Sequence, residues 1–148
     1  MKRVFTVIVL VFVWVVESHS QTGLKIAELF NGQYKRKDNA IEVVVKGNQL
    51  KRYKLEVFRS LTIKNDPKDF ERIEKLVEQD EKNAISKETG RIGEHLYYAF
   101  YCFSPEKGRF RYIFYRNSSL RKTESNELTL IYMEGNVTLD ELKAMFKK

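Results

Sequence analysis

Cys102 and His95 are the residues of this sequence best suited to act as a nucleophile and its base. Such a pair needs the imidazole within hydrogen-bond reach of the sulfur. Both residues fall in one predicted strand at odd separation, so strand alternation directs them to opposite faces of a sheet. Cys102 shares its face with Leu96 and Phe100, and we therefore expect a buried, inert thiol. No Gly-x-Ser-x-Gly element supports a serine hydrolase.

Metal and cofactor chemistry finds little support in the motifs. The chain holds 1 Cys and 2 His, too few for a cluster of His and Cys ligands around zinc. Neither the alternating acidic loop that binds calcium nor a glycine-rich phosphate loop is present. The sequence therefore predicts no catalytic residue, no metal site and no cofactor. A carboxylate-based hydrolase stays open as an alternative, because acidic residues are plentiful, although no pair is singled out.

One strand has the aromatic spacing of an RNA-binding motif. Phe110, Tyr112 and Tyr115 fall on the aromatic positions, but Arg109 and Arg111 occupy the positions where that motif has glycine. The pattern is more typical of an ordinary aromatic core strand. We therefore predict no nucleic-acid binding.

The elements that carry these residues follow from apolar periodicity and capping signals. Asp66-Pro67 starts an amphipathic helix, and Thr138 with Glu141 forms a capping box before a last short helix. A short helix over residues 24–30 and strands over residues 41–46, 53–63, 92–103, 109–116 and 127–133 complete the pattern. Short connections favour antiparallel neighbours. The sequence predicts one α+β domain with a five-stranded, mainly antiparallel sheet and helices packed on one face.

The hairpin of the third and fourth predicted strands suggests a ligand surface. A five-residue loop would place Phe100 opposite Tyr112 and Cys102 opposite Phe110 on one side. Tyrosine and arginine side chains on the other side could stack on sugars, peptides or a second protein. We predict that this side is uncovered and binds a ligand; the alternative, a covered face with core tyrosines, weighs equally. The predicted ligand-binding residues are His95, Tyr97, Tyr101, Arg109, Arg111 and Tyr115.

Arg59 interrupts the apolar side of the second predicted strand. It has the strand parity of Leu55, Val57 and Leu61. It is either a partly buried arginine with a carboxylate partner or the product of a bulge at residues 58–60 that turns it outward. The bulge is the simpler expectation.

The N-terminus has the pattern of a secretory signal. A basic start at residues 1–3 precedes a thirteen-residue run, 4–16, with one polar member, and Ser18 and Ser20 precede Gln21. The run is too short to span a bilayer easily. We predict a cleaved signal at residues 1–20, a single domain at 21–148, and export to the periplasm or the outside of the cell.

Composition fits such a domain and shows an uneven charge. The 148 residues carry a net charge of +7 and are 43% hydrophobic, which suits one globular domain. The excess of positive charge lies before residue 69, in a predicted basic patch. Such a patch attracts anionic partners, although a solvated edge that blocks strand pairing explains it more simply. The patch comprises Lys35, Arg36, Lys37, Lys51, Arg52 and Lys54.

Two segments carry a resemblance to a known family. Residues 39–46, Asn-Ala-Ile-Glu-Val-Val-Val-Lys, look like its early strand, and residues 126–142 look like its closing strand, turn and helix. In these segments the chain resembles small exported proteins of unknown function from Gram-negative gut bacteria. The resemblance implies export and an α+β fold. It implies no activity and assigns no catalytic residue.

These observations favour an exported, non-catalytic binding or envelope-associated module. Its partner would be a protein, a glycan or an anionic envelope surface. The alternatives are a carboxylate-based hydrolase acting on envelope polymers, and a structural homodimer that buries the uncovered face of the sheet.

Overall fold

The computed structural model describes residues 23–146 as an α+β fold built on one antiparallel sheet. The predicted signal at residues 1–20 lies outside the described residues. The sheet has six strands in the order β1-β2-β6-β5-β4-β3. The strands are β1 (Ala40–Lys46), β2 (Leu55–Lys64), β3 (Ala84–Ile92), β4 (His95–Glu106), β5 (Arg109–Asn117) and β6 (Glu127–Gly135).

Between residues 23 and 146, two α-helices and four 3-10 helices accompany the sheet. The α-helices are α1 (Pro67–Asp80) and α2 (Leu139–Phe146). The 3-10 helices are η1 (Lys25–Phe30), η2 (Asn48–Tyr53), η3 (Glu81–Asn83) and η4 (Ser118–Leu120). Within residues 23–146, no helix is long and apolar enough to cross a bilayer.

The prediction of five strands is wrong, because residues 84–92 form a sixth. This segment is β3, an edge strand that pairs antiparallel with β4. Its residues are mostly polar and exposed, so it lacks the apolar alternation by which a half-buried strand is recognised. Gly93, at φ 63°, turns the chain into β4, so that the long strand predicted over residues 92–103 is divided between two strands.

The prediction that all helices pack on one face is also wrong. One face, called the α1 face, packs Leu61, Ile113 and Leu130 against η1 and α1. The opposite face, called the α2 face, packs Phe100, Tyr112 and other residues against η2 and α2. Both sides of the sheet therefore carry apolar cores, and α2 with η2 forms a second layer that the sequence pattern did not indicate.

The starts of the α-helices were predicted correctly, but the burial of an acidic residue at the end of α1 was not. The Asp66 side chain accepts the backbone N–H of Asp69 at 3.2 Å, as an N-cap does. Asp80, which lies in an acidic run at the end of α1, is buried. Its carboxylate accepts the backbone N–H groups of Lys25 at 2.7 Å and Ile26 at 3.0 Å, which fastens the start of η1 to α1. Burial raises the pKa of Asp80, and these hydrogen bonds oppose that rise.

The pairing of β4 with β5 is offset by two residues from the predicted register. Phe100 lies opposite Phe114, and Cys102 lies opposite Tyr112. Two features cause the offset. Lys107 and Gly108, both at positive φ, form a two-residue hairpin turn that pairs Glu106 with Arg109 and shifts the register by three. An irregularity between Phe103 and Glu106 then takes one residue back. An offset of two keeps each side chain on its predicted face.

The bulge in β2 lies at a different place from the predicted one. The register with β6 shifts between Leu55 and Val57, whereas Phe58 to Ser60 pair regularly. The bulge brings Leu55 into the core of the α2 face, while Val57 packs on the α1 face. Arg59 remains half-buried opposite Tyr132, so the expectation that it is turned outward is wrong.

Candidate functional site

The α2 face contains an open apolar groove with a cavity of about 330 Å³. Its floor is formed by side chains from three neighbouring strands. Val45 of β1 pairs with Phe58 of β2, which in turn pairs with Met133 of β6. Leu55 adds to this floor because the β2 bulge brings it onto the same face. The floor is therefore a continuous apolar surface.

Two helical segments form the walls of the groove. Leu50 and Tyr53 come from η2, and Leu142 and Met145 come from α2. The leucines are buried, whereas Tyr53 is 38% exposed and Met145 is 37% exposed. Apolar side chains left open at a concave surface are the usual lining of a small-molecule site.

Backbone contacts hold the walls in position. Gly135, at the end of β6, lies so close to η2 that an added Cβ would be 2.3 Å from the carbonyl oxygen of Lys54. That oxygen accepts the backbone N–H of Val137 at 3.0 Å. The Lys54 ammonium reaches the Glu141 carboxylate of α2 at 2.7 Å. Both walls are thus tied to the end of β6, which favours a groove formed before a ligand arrives.

A second cavity of about 590 Å³ adjoins the groove and shares Leu55 with it. Lys51, Lys54 and Glu56 line it, together with Gly47 and Asn136. Lys54 is paired with Glu141, and Glu56 is paired with Arg109. Lys51 forms no ion pair with any residue in the described range 23–146. Lys51, unpaired within this range, therefore lies beside the apolar groove.

Tyr101 and Tyr115, two of the predicted ligand-binding residues, lie in the core. Both are fully buried on the α1 face beneath η1 and α1. Burial raises the pKa of each phenol. The prediction that this face is uncovered is therefore wrong, because η1, held by Asp80, closes the layer together with α1. Ligand binding by the six residues stays a prediction.

His95 and Tyr97 are engaged in contacts near the start of β4. The imidazole Nδ1 of His95 lies 3.2 Å from Glu74, whose carboxylate also accepts the backbone N–H of Leu96. The hydrogen bond with Glu74 raises the pKa of His95. The Tyr97 hydroxyl donates to Glu124 at 2.9 Å. These contacts join β4 to α1 and to the loop before β6.

Arg109 and Arg111 lie at the other end of the hairpin, away from His95. Arg109 bridges two carboxylates, with Nε 2.6 Å from Glu56 and Nη1 3.5 Å from Glu134. Arg111 lies over the Phe103 ring at 5.7 Å and is mostly buried. The six predicted residues are therefore distributed between the core and the two ends of the β4–β5 hairpin. They do not converge on one surface.

The structure divides the predicted basic patch into two clusters. Lys35, Arg36 and Lys37 precede β1, whereas Lys51, Arg52 and Lys54 follow it. The seven residues of β1 separate them by about 20 Å at the usual strand rise. Only the second cluster adjoins the groove. The first contacts α1, where Lys37 approaches Asp69 at 3.5 Å.

The thiol of Cys102 is buried, as predicted. It lies on the α2 face and donates to the carbonyl of Phe103 at 3.7 Å, while His95 faces α1. Burial raises the pKa of this thiol, which favours its protonated form. Within residues 23–146, no three His, Cys, Asp or Glu side chains are placed to share a metal ion.

The fold and the groove define an α+β protein with a six-stranded antiparallel sheet and an apolar site on its α2 face. Over residues 13–146 the chain matches a family of unknown function, DUF6108, and it belongs to that family. No curated protein and no solved structure matches it. Membership agrees with the resemblance to uncharacterised proteins. The bacterial source and export stay predictions.

Sequence reasoning did not find the groove, although its parts were visible. Leu142 and Met145 belong to the last short helix, which the capping box at Thr138 and Glu141 predicts. Leu50 falls between two predicted strands, and the pattern assigns Tyr53 to a strand instead of η2. The sequence did not indicate the bulge that brings Leu55 to the α2 face. Strict strand alternation assigns Leu55 to the other side of the sheet.

Proposed function

We propose that the protein is an exported, non-catalytic binding module that holds the apolar part of a small anionic amphiphile in the groove. The observation that carries this proposal is the groove lining. It consists of aliphatic, aromatic and methionine side chains without a carboxylate, imidazole, thiol or amine. Such a lining supports binding by burial of apolar surface, and it places no carboxylate, imidazole, thiol or amine beside the Tyr53 hydroxyl.

The position of Lys51 favours an anionic head group over a neutral one. Lys51 lines the adjoining cavity, and the groove and this cavity meet at Leu55. A ligand with an apolar chain and an anionic head would place the chain against Phe58 and Met133 and the head beside Lys51. This arrangement is compatible with the broader expectation of an anionic partner from the cell envelope.

The contacts of the carboxylates give the alternative of a hydrolase less support. Glu56 and Glu134 approach each other closely enough to share Arg109, but each is held by that guanidinium. Glu74 and Asp80 are engaged by backbone N–H groups at element starts. A general acid must reach the substrate, whereas the oxygens of these four carboxylates contact protein partners.

Fluorescent probes test the proposal. Two are suitable: the anionic anilinonaphthalene sulfonate and the uncharged N-phenylnaphthylamine. We expect both to bind the folded protein saturably. Tyr53→Ala and Met145→Ala should each weaken binding of both probes about 5-fold, which corresponds to about 1 kcal/mol of lost apolar contact. Lys51→Gln should weaken binding of the anionic probe alone.

The matched control is Ile85→Ala, which removes an apolar side chain on the opposite edge of the sheet that is 62% exposed, more than Tyr53 or Met145. It should leave both affinities unchanged. Thermal melts establish that each variant is folded. The proposal is contradicted if neither probe saturates, or if the control weakens binding as much as the groove variants do.

Export rests on the N-terminal pattern and has its own test. We expect the protein recovered from its native host to begin at Gln21, which intact-mass spectrometry would show. Retention of residues 1–20 on protein that stays in the membrane pellet would contradict a cleaved signal.

A further inference from the structure

β1 is an edge strand with the features of a pairing surface. Its three exposed apolar residues are Ile41 (59%), Val44 (47%) and Val43 (40%). Its register with β2 is regular over all seven residues. The opposite edge, β3, has two register shifts and carries charged side chains, which are the usual protections of an exposed edge. β1 has neither bulge nor proline.

The backbone groups that β1 leaves free follow from its pairing with β2. The N–H of Lys64 donates to the carbonyl of Asn39 at 2.8 Å, which makes these two residues a hydrogen-bonded pair. Hydrogen-bonded and non-hydrogen-bonded pairs alternate along an antiparallel ladder. The backbone groups of Glu42, Val44 and Lys46 therefore point away from β2, toward the free edge.

We propose that β1 pairs antiparallel with β1 of a second copy of the chain, with Val44 opposite Val44 at the two-fold axis. Glu42 of each copy then lies opposite Lys46 of the other, and Val43 lies opposite Val45. The two sheets become one continuous sheet. This goes beyond the proposed binding function and does not depend on it.

Charge complementarity favours a second copy of the chain as the partner of β1, and it favours the register centred on Val44. Neither Glu42 nor Lys46 forms an ion pair with any residue in the range 23–146, and Glu42 Oε2 is buried without a hydrogen-bond partner there. The proposed register gives each of them an opposite charge. A shift of one pair toward the strand start places Val43 on the axis and Glu42 opposite Val44. A further shift places Glu42 opposite Glu42, which is repulsive.

A single strand pair buries little surface, so the dimer should be weak. Interfaces below about 1,200 Å² are typical of transient complexes. We therefore expect a dimer in the micromolar range that dissociates on dilution. Sedimentation velocity of the full chain over a series of concentrations measures this equilibrium directly.

Charge reversal tests the pairing. Glu42→Lys and Lys46→Glu should each weaken the dimer at least 10-fold, because each places like charges opposite one another twice. The double variant Glu42→Lys/Lys46→Glu restores opposite charges and should restore the dimer. Circular dichroism checks folding. If the half-buried Glu42→Lys variant does not fold, the exposed Lys46→Glu variant and the cysteine variants below decide the question.

Disulfide formation tests the register. A hydrogen-bonded pair has Cα atoms about 5.5 Å apart, a separation that suits a disulfide. In a Cys102→Ala background, Val44→Cys should therefore form a disulfide-linked dimer on mild oxidation, and faster than Val43→Cys. The proposal is overturned if the protein is monomeric at all concentrations and Val44→Cys does not cross-link. Faster cross-linking by Val43→Cys, or a double variant that stays monomeric, overturns the proposed register.

Discussion

Gly135 offers the sharpest test of the contact that fixes one end of the groove. An added Cβ would lie 2.3 Å from the carbonyl oxygen of Lys54 and 2.6 Å from the Cα of Leu55. Both atoms belong to the backbone, so no side-chain rotation relieves the contact. Gly135→Ala must therefore separate the end of β6 from the segment that joins η2 to β2.

The cost of this separation can be estimated from the structure. Overpacking of a close contact costs about 1–3 kcal/mol. The hydrogen bond from Val137 N–H to Lys54 O, 3.0 Å long, would also be strained, and its loss costs about 1 kcal/mol. We expect Gly135→Ala to lower the free energy of unfolding by about 2–4 kcal/mol. For a domain of this size that corresponds to a fall in Tm of about 8–16 °C.

Thermal and urea unfolding followed by circular dichroism measure this effect. Gly90→Ala is the matched control, since Gly90 also lies in a strand but its Cβ would meet nothing closer than Tyr98 Cβ at 3.9 Å. The control should change the unfolding free energy by less than about 1 kcal/mol. A Gly135→Ala variant that melts within about 2 °C of the control would refute the reasoning about the close contact.

Three further predictions follow from single contacts. Cys102 should react slowly with thiol reagents in the native protein, and Cys102→Ala should cost about 1 kcal/mol in urea unfolding; rapid labelling would contradict its burial. Thr138→Ala removes the hydroxyl that accepts the Glu141 N–H at 3.2 Å and should also cost about 1 kcal/mol by the same measurement. Because Glu74 raises the pKa of His95 above its ordinary 6.5, their ion pair should stabilise the fold below about pH 6.5 and be lost as pH rises through the raised value. The Tm difference between wild type and His95→Asn should therefore shrink from about pH 6 to about pH 8.5, and a constant difference would contradict it.

The helix starts and the aromatic strands were predictable from the sequence because their signals are local. Asp66, Pro67 and the spacing of Phe70 and Ile73 define α1 without reference to the rest of the chain. Thr138 defines α2 in the same way. Strand faces were also predictable, since alternation survives an error of two residues in register.

The features that the sequence did not predict depend on contacts between distant segments. Asp80 looks like one more acid on a polar helix side until η1 brings two N–H groups to it. β3 looks like a loop because its stability comes from pairing with β4. The groove requires the β2 bulge at Leu55 and the close approach of Gly135 to Lys54, and neither leaves a periodic signal in the sequence.

Methionine-methyl NMR tests the proposed ligand site most directly. In the range 23–146 the methionines are Met133, on the floor of the groove, and Met145, on its wall. With ¹³C-labelled methionine methyl groups, titration with the uncharged N-phenylnaphthylamine should shift both signals saturably and with the same dissociation constant. Probe binding that leaves the Met133 and Met145 signals unchanged would place the ligand elsewhere and contradict the proposed function.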